Sequence, residues 1–256
     1  MGILNVTPDS FSDGGKFLDP DIAVQHALQM VTAGADIIDL GGESTRPGAA
    51  SVSVDEELGR VVPVIKRLRE VSGVAISIDT SKSEVMRECA ALDIDLINDV
   101  KALRSNGALA AAAQTRLPVC LMHMQGEPRT MQASPHYEDV VVEVDLFFAE
   151  RIGACVAAGI DRSALMLDPG FGFGKTPAHN LELINRLEAF SHHELPILVG
   201  LSRKSTIKKL TDDLVSGSIA GALAALENGA RVIRAHDVAE TRSAMDVWHS
   251  IKTSQV

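Results

Sequence analysis

The first fifteen residues, MGILNVTPDSFSDGG (Met1–Gly15), decide between two folds. A short apolar run, Gly2 to Leu4, passes straight into a polar loop marked by Pro8 and by Gly14-Gly15. An open doubly wound sheet that binds a dinucleotide carries a glycine-rich G-x-G-x-x-G turn after its first strand. Here the strand leads instead into Asn5 and a stretch of hydroxyls, two carboxylates and an aromatic, Phe11. The dinucleotide spacing is missing.

Seven further apolar runs follow at regular intervals: DIIDLGG, AISIDT, DLINDV, PVCLMH, LMLDPG, PILVGLS and VIRAHD. They are short, largely β-branched and nearly continuous in apolar character, as buried parallel strands are. Helical spacing fills the gaps, with Val24, Ala27, Leu28 and Val31 on one face, Leu58, Val61, Val62 and Ile65 on another, and Val144, Phe148, Ile152 and Cys155 on a third. ALAAAAQ, Ala108 to Gln114, reads as plain helix. Helix starts are marked by Ser53 with Glu56, Ser81 with Glu84 and Asp237 with Glu240, each at capping-box spacing, and by Thr176-Pro177. Eight strands alternating with helices over 256 residues, with no linker or internal repeat, predict an α/β TIM (β/α)8 barrel that forms one domain, residues 1–256.

Apolar residues make up 46% of the chain and aromatics only 4%, so the core is aliphatic. The net charge of −10 predicts no affinity for nucleic acid or anionic membrane unless basic residues cluster. No apolar run approaches the roughly 20 residues that span a bilayer, and no signal peptide is legible. Three widely spaced cysteines, Cys89, Cys120 and Cys155, argue against a disulfide framework and suit the cytoplasm.

In a barrel of this kind function gathers at the C-terminal ends of the strands. Those exits carry Asn5, then Gly41 to Arg46, Asp79-Thr80, Asn98-Asp99, His123, Asp168, Ser202 to Ser205, and Arg234 with His236. Polar loops alone would explain any one of them. Asp or Asn at four exits also suits a ligand rich in hydrogen-bond donors. Arg46, Lys204, Arg234 and His236 gather positive charge at one end of an acidic chain, and guanidinium forks fit phosphate oxygens. The plainer alternative pairs Arg234 with nearby Asp237 and Glu240. DPGFGFGKT, Asp168 to Thr176, fails both nucleotide-loop spacings, so its glycines are read as sharp turns beside a ligand. Phe171 and Phe173 are core or the wall of an aromatic pocket. Met122 and Met124 are equally core filling or pocket lining, and the loop from His123 reads as mobile. His192-His193 has no carboxylate or cysteine at metal-ligand spacing and is read as solvated.

MGILNVTPDSFSDGG, DLGGESTRPGA, ISIDT, INDV, VCLMHMQGEPRTMQ, LDPGFGFGKT, LVGLSRKS and IRAHDV together resemble the dihydropteroate synthases of bacterial folate synthesis, in that family's order, from Met1 to about Ile251. The resemblance implies a transferase, a sulfonamide target, that is usually a homodimer. It would join 4-aminobenzoate to (7,8-dihydropterin-6-yl)methyl diphosphate and release diphosphate. It implies a pterin diphosphate site of Thr45, Asp79, Asn98, Asp168, Lys204, Arg234 and His236. It implies a 4-aminobenzoate site of Phe11, Thr45, Arg46, Pro47, Phe173, Lys204 and Ser205. Mg2+ would be bound through Asn5, and the catalytic set would be Asn5, Thr45, Arg46, Lys204, Arg234 and His236.

Two departures from the family pattern stand out. The chain begins inside strand one, without the segment that usually covers the barrel floor. The stretch after Lys204 is short, with Lys208 where glycine is common. Two alternatives remain open at this point. One is a methyltransferase-type barrel that binds a methylated pterin, which would not need the phosphate-directed residues. The other is a non-catalytic pterin-binding homologue, which would not need Asn5, Thr45 and Arg46.

Overall fold

The computed structural model describes residues 1–7, 19–44, 51–126 and 130–254. Among these residues eight strands appear in chain order: β1 (Gly2–Asn5), β2 (Ile37–Gly41), β3 (Ala75–Asp79), β4 (Leu96–Asp99), β5 (Val119–Met122), β6 (Leu165–Asp168), β7 (Leu198–Val199) and β8 (Val232–Ile233). The helices among them are α1 (Pro20–Thr32), α2 (Val54–Val71), α3 (Ser83–Ala90), α4 (Ala108–Thr115), α5 (Val140–Ala157), α6 (Pro177–Asn185), α7 (Ser205–Lys208), α8 (Leu214–Glu227) and α9 (Val238–Thr253).

Every strand pairing is parallel. β1 to β6 form one run and β7 pairs with β8. Two bridges close the circle: Leu167 opposite Ile197 joins β6 to the β7 edge, and Gly2 opposite Ala235 joins β1 to the residues after β8. Ile3 N donates to the Ala235 carbonyl at 3.1 Å, and Ala235 N donates to that of Met1 at 3.0 Å. The choice between open sheet and barrel therefore falls to the barrel.

Strand side chains alternate between two surroundings. Leu4, Ile38, Leu40, Ile76, Ile78, Ile97, Val119, Leu121, Leu165 and Leu167 are buried against the helices. Fully burying one such side chain contributes about 1.5–3 kcal/mol. The expected helix faces join this layer: Val24 and Ala27 from α1, Val61 and Ile65 from α2, and Val144, Phe148, Ile152 and Cys155 from α5.

The opposite phase faces the lumen, and register lines it up. Asn5 lies opposite Gly41, Gly41 opposite Asp79, Asp79 opposite Asn98, and Asn98 opposite Cys120. One layer lower, Asp39 lies opposite Ser77. Met122 and Asp168 are partners one layer higher.

Two helix starts follow the expected chemistry. Ser53 Oγ accepts from Glu56 N at 3.1 Å, and Thr176 Oγ1 accepts from His179 N at 3.2 Å, with His179 completing a capping box. Two do not. Ser81 hydrogen-bonds to Asp99, and α3 begins after Lys82 without a side-chain cap. Asp237 precedes α9 but gives its carboxylate to Arg203. In both cases a tertiary partner of greater charge or closer approach takes the oxygen that the cap would have used.

Candidate active site

A cavity of about 470 Å3 opens at the C-terminal end of the strands. Seven of the candidate residues line it: Asn5, Asp79, Phe173, Lys204, Ser205, Arg234 and His236. Asn98 and Asp168 lie behind its wall, each 4% exposed. Phe11, Thr45, Arg46 and Pro47 lie outside the described residues.

The charged side of the cavity is built by β2, β3 and β8. Arg234 Nε donates to Asp39 Oδ2 at 2.6 Å, and its Nη2 donates to Asp79 Oδ2 at 3.0 Å. Asn98 Nδ2 donates to the same Asp39 oxygen at 3.1 Å. Burial opposes the guanidinium's charge, but Asp39 and Asp79 outweigh it and keep Arg234 protonated. Burial, and then the Asp39 carboxylate, push Asp79 up to about 7 against the pull of Arg234. Arg234 thus pairs inward with strand carboxylates. The pairing with Asp237 that a plain surface reading offered belongs to Arg203, at 3.0 Å from its Nε. His236 Nδ1 and Ser202 Oγ are 3.0 Å apart beside it.

Asp39 was not among the sequence candidates. It is fully buried on β2, and its second oxygen has no partner among the described residues. The signal was present: a carboxylate inside the apolar run DIIDLGG, in the same strand phase as Gly41.

The opposite side is built by the loops after β5, β6 and β7. Lys204 donates to the Phe171 carbonyl, and its ammonium lies 4.7 Å from the centre of the Phe173 ring. Burial lowers Lys204 to about 8, although Asp168 acts against the shift. Burial raises the Asp168 carboxyl, with Lys204 opposing. Asp168 Oδ1 accepts from Gly170 N at 2.7 Å. Phe171 is core, fully buried, while Phe173 packs on a small cluster of Val100, Met122, Met124 and Met131. The methionines therefore serve both readings: they are buried, and they back the aromatic wall.

Two features lay beyond sequence reasoning. Lys82 pairs with Glu43 and with the fully buried Glu57, while Glu43 also accepts from Val52 N at 3.2 Å. These contacts tie down both described ends of the segment 45–50. His192-His193 does have a carboxylate neighbour: Asp145 Oδ1 lies 3.3 Å and 2.8 Å from their Nε2 atoms. It comes from α5, a distance along the chain that no spacing rule covers.

Asn5 tests whether a hard cation fits. Its carboxamide oxygen lies on the same side of Gly41 as the Asp79 side chain, and Asn5, Thr7 and Ser44 all line the cavity. Oxygen donors of this kind suit Mg2+, which keeps several waters and takes the rest of its shell from substrate phosphate. The donor set fits.

Residues 1–236 match the family model described as pterin binding enzyme. The chain is 57% identical to a dihydropteroate synthase of Escherichia coli (strain K12), over 96% of this chain and 89% of that one. It is similar to the Yersinia pestis dihydropteroate synthase in a sulfonamide drug complex, with a TM-score of 0.95, 53% identity and coverage of 99% and 94%. It is also similar to the Xanthomonas albilineans dihydropteroate synthase with 4-aminobenzoic acid, with a TM-score of 0.94, 49% identity and coverage of 99% and 93%.

Proposed function

The chain belongs to the pterin-binding enzymes and, among them, to the dihydropteroate synthases, which are transferases; from that premise we propose how its own residues carry the reaction. The substrates are (7,8-dihydropterin-6-yl)methyl diphosphate and 4-aminobenzoate, and the products are 7,8-dihydropteroate and diphosphate. The observation that carries this reading is that one cavity at the strand ends brings the acceptors Asp79, Asn98 and Asp168 together with the cations Arg234 and Lys204.

The lumen suits the pterin. Its amino and ring N–H groups need acceptors, and Asp79, Asn98 and Asp168 offer them. Asn98 Oδ1 is buried with no hydrogen-bond partner among the described residues. Lys204 supplies a donor for the carbonyl edge of the ring. At the β8 side of the cavity, Arg234 and His236 face the diphosphate.

The bond from the methylene carbon to the diphosphate oxygen breaks, and its electron pair leaves with the diphosphate. The electron-rich dihydropterin eases positive charge on that carbon. The arylamine nitrogen then forms the new C–N bond and gives up one proton to solvent or to the departing phosphate. Arg234 and His236 stabilise the growing negative charge. Phe173, Ser205 and Lys204 hold the 4-aminobenzoate in line, which replaces activation by a dedicated base. Asn5 would hold Mg2+, which when bound would supply positive charge against the leaving diphosphate. Phe11, Thr45, Arg46 and Pro47, outside the described residues, are assigned to contact with 4-aminobenzoate, and Thr45 also to the pterin diphosphate.

The same aromatic wall takes sulfonamides in competition with 4-aminobenzoate. That reading is supported by the complexes of the Yersinia pestis and Xanthomonas albilineans proteins. The homodimer that the family resemblance implies is part of this proposal. A cytoplasmic site is supported by Cys89, Cys120 and Cys155, all buried and free. No helix among the described residues is long and apolar enough to cross a membrane.

The test is diphosphate release with both substrates. Release that needs both of them and Mg2+ is expected. Pterin binding without turnover would instead mark a non-catalytic pterin-binding barrel.

A further inference from the structure

Lys175 is a buried lysine that the reaction above does not use. It is 2% exposed, at the end of the loop that follows β6. An ammonium has three N–H donors, and three acceptors lie within reach. They are His123 Nδ1 at 2.8 Å, the Gly170 carbonyl at 3.0 Å and the Phe173 carbonyl at 3.1 Å. The His123 carbonyl stands further off at 3.5 Å. Among the described residues no carboxylate hydrogen-bonds to Lys175. Burial pushes its ammonium well below the usual lysine range, with the nearby Asp168 carboxylate opposing the shift and the Lys204 charge adding to it. Burial, and then the Lys175 charge, hold His123 down at about 2. The imidazole is therefore neutral, with Nδ1 accepting and the proton on Nε2.

The acceptors sit on two different loops. Gly170 and Phe173 belong to the loop after β6, and His123 to the loop after β5. The two are pressed together. A Cβ at Gly170 would lie 1.8 Å from the His123 carbonyl oxygen, and one at Gly174 2.4 Å from that of Gln125. Both glycines also have positive φ, 69° and 64°, so no other residue type fits either position well. Lys175 pins this crossing from inside.

What the crossing presents to the cavity is the Phe171 carbonyl and the Phe173 ring, the two groups that contact Lys204. We propose that Lys175, paired with His123, is a positioning residue for the 4-aminobenzoate half of the site. It fixes segment 170–173 so that Phe171 and Phe173 hold Lys204 against the incoming arylamine. The pterin half depends on it less: of its groups only Lys204 leans on the crossing, while Asp79, Asn98 and Asp168 stand on strands kept in place by sheet pairing. The proposal rests on the reading given above for this cavity.

The experiment uses full-length Lys175→Met, His123→Leu and His123→Asn, the last keeping an acceptor oxygen near the Nδ1 position. Three quantities are read: KM for each substrate, calorimetric affinity for the pterin diphosphate alone, and hydrogen exchange of peptides covering 169–175. Lys175→Met and His123→Leu are expected to raise KM for 4-aminobenzoate about tenfold, the worth of a hydrogen bond to a charged group. Pterin affinity should stay within about threefold, exchange across 169–175 should accelerate, and His123→Asn should stay near wild type. An unchanged KM for 4-aminobenzoate, an equal rise for both substrates, or unchanged exchange overturns the proposal. If Lys175→Met does not fold, the two His123 variants decide by the same readings. Wild-type turnover is measured first, so a failure of the overall reaction is seen separately, and the exchange data still report on the clamp.

Discussion

The two sides of the cavity use buried cations in opposite ways. Arg234, on the β8 side, faces two carboxylates from β2 and β3. Lys175, on the β6 side, faces an imidazole and backbone carbonyls. A carboxylate paired with arginine can exchange that partner for a ligand, because the charges can be redistributed among Asp39, Asp79, Arg234 and whatever binds. Backbone carbonyls cannot move without moving the loop. The first arrangement responds to substrate, and the second sets a wall before substrate arrives. This difference matches the division of labour proposed above, in which charge changes on the diphosphate side and geometry matters on the arylamine side.

Three measurements can break or sharpen this contrast. Arg234→Ala should have the largest effect. It leaves Asp39 and Asp79 buried without their cation, a loss on the order of 3–5 kcal/mol in folding stability, and it removes the diphosphate anchor. Denaturant unfolding together with diphosphate release checks both. A variant with near-wild-type stability would show that the pair is not the main counter-charge of the lumen.

Asp168→Ala comes next. Asp168 sits where the two sides meet, accepting from Gly170 N while feeling the charge of Lys204. Loss of one charged hydrogen bond to the pterin should weaken its binding by about 2 kcal/mol, roughly thirtyfold. Unchanged affinity by calorimetry would remove Asp168 from the pterin pocket.

A third effect is in pH dependence. Asp79 is pushed up from 3.8 to about 7, burial being the first cause. The folded state therefore holds a proton that the unfolded chain has already lost between these two values. The stability this proton contributes is fully present below about pH 4 and is lost as pH rises through about 7. Asp79→Asn should flatten that part of the stability profile. An identical slope in variant and wild type would assign the titration to another group.

Much of this site was legible in the chain. Asn5, Asp79, Asn98, Asp168 and Lys204 stand at or just after strand ends, and a period-two pattern that turns polar marks such positions without any coordinates. Asp39 was harder because it lies inside an apolar run. Only the closed barrel turns that strand phase into a lumen where Arg234, 195 residues away, can reach it. The caps show the same limit. Ser53 and Thr176 use their local partners, but Ser81 and Asp237 are taken by Asp99 and Arg203 from other loops. His192-His193 looked solvated because its carboxylate, Asp145, lies on a separate helix.

Sequence alone determined the alternation of strands and helices, the barrel rather than the open sheet, the end at which chemistry gathers, and the family. These depend on periodicity and on motifs a few residues long, which are local properties of a chain. Tertiary structure alone decided which cation meets which acid. It paired Arg234 with Asp39 and Asp79, gave Arg203 to Asp237, and enclosed Lys175 among three neutral acceptors. Burial removes water as the alternative partner, so each buried charge takes whatever group the fold brings within about 3 Å. Which group that is depends on the register and closure of the barrel, and no short stretch of sequence contains that information.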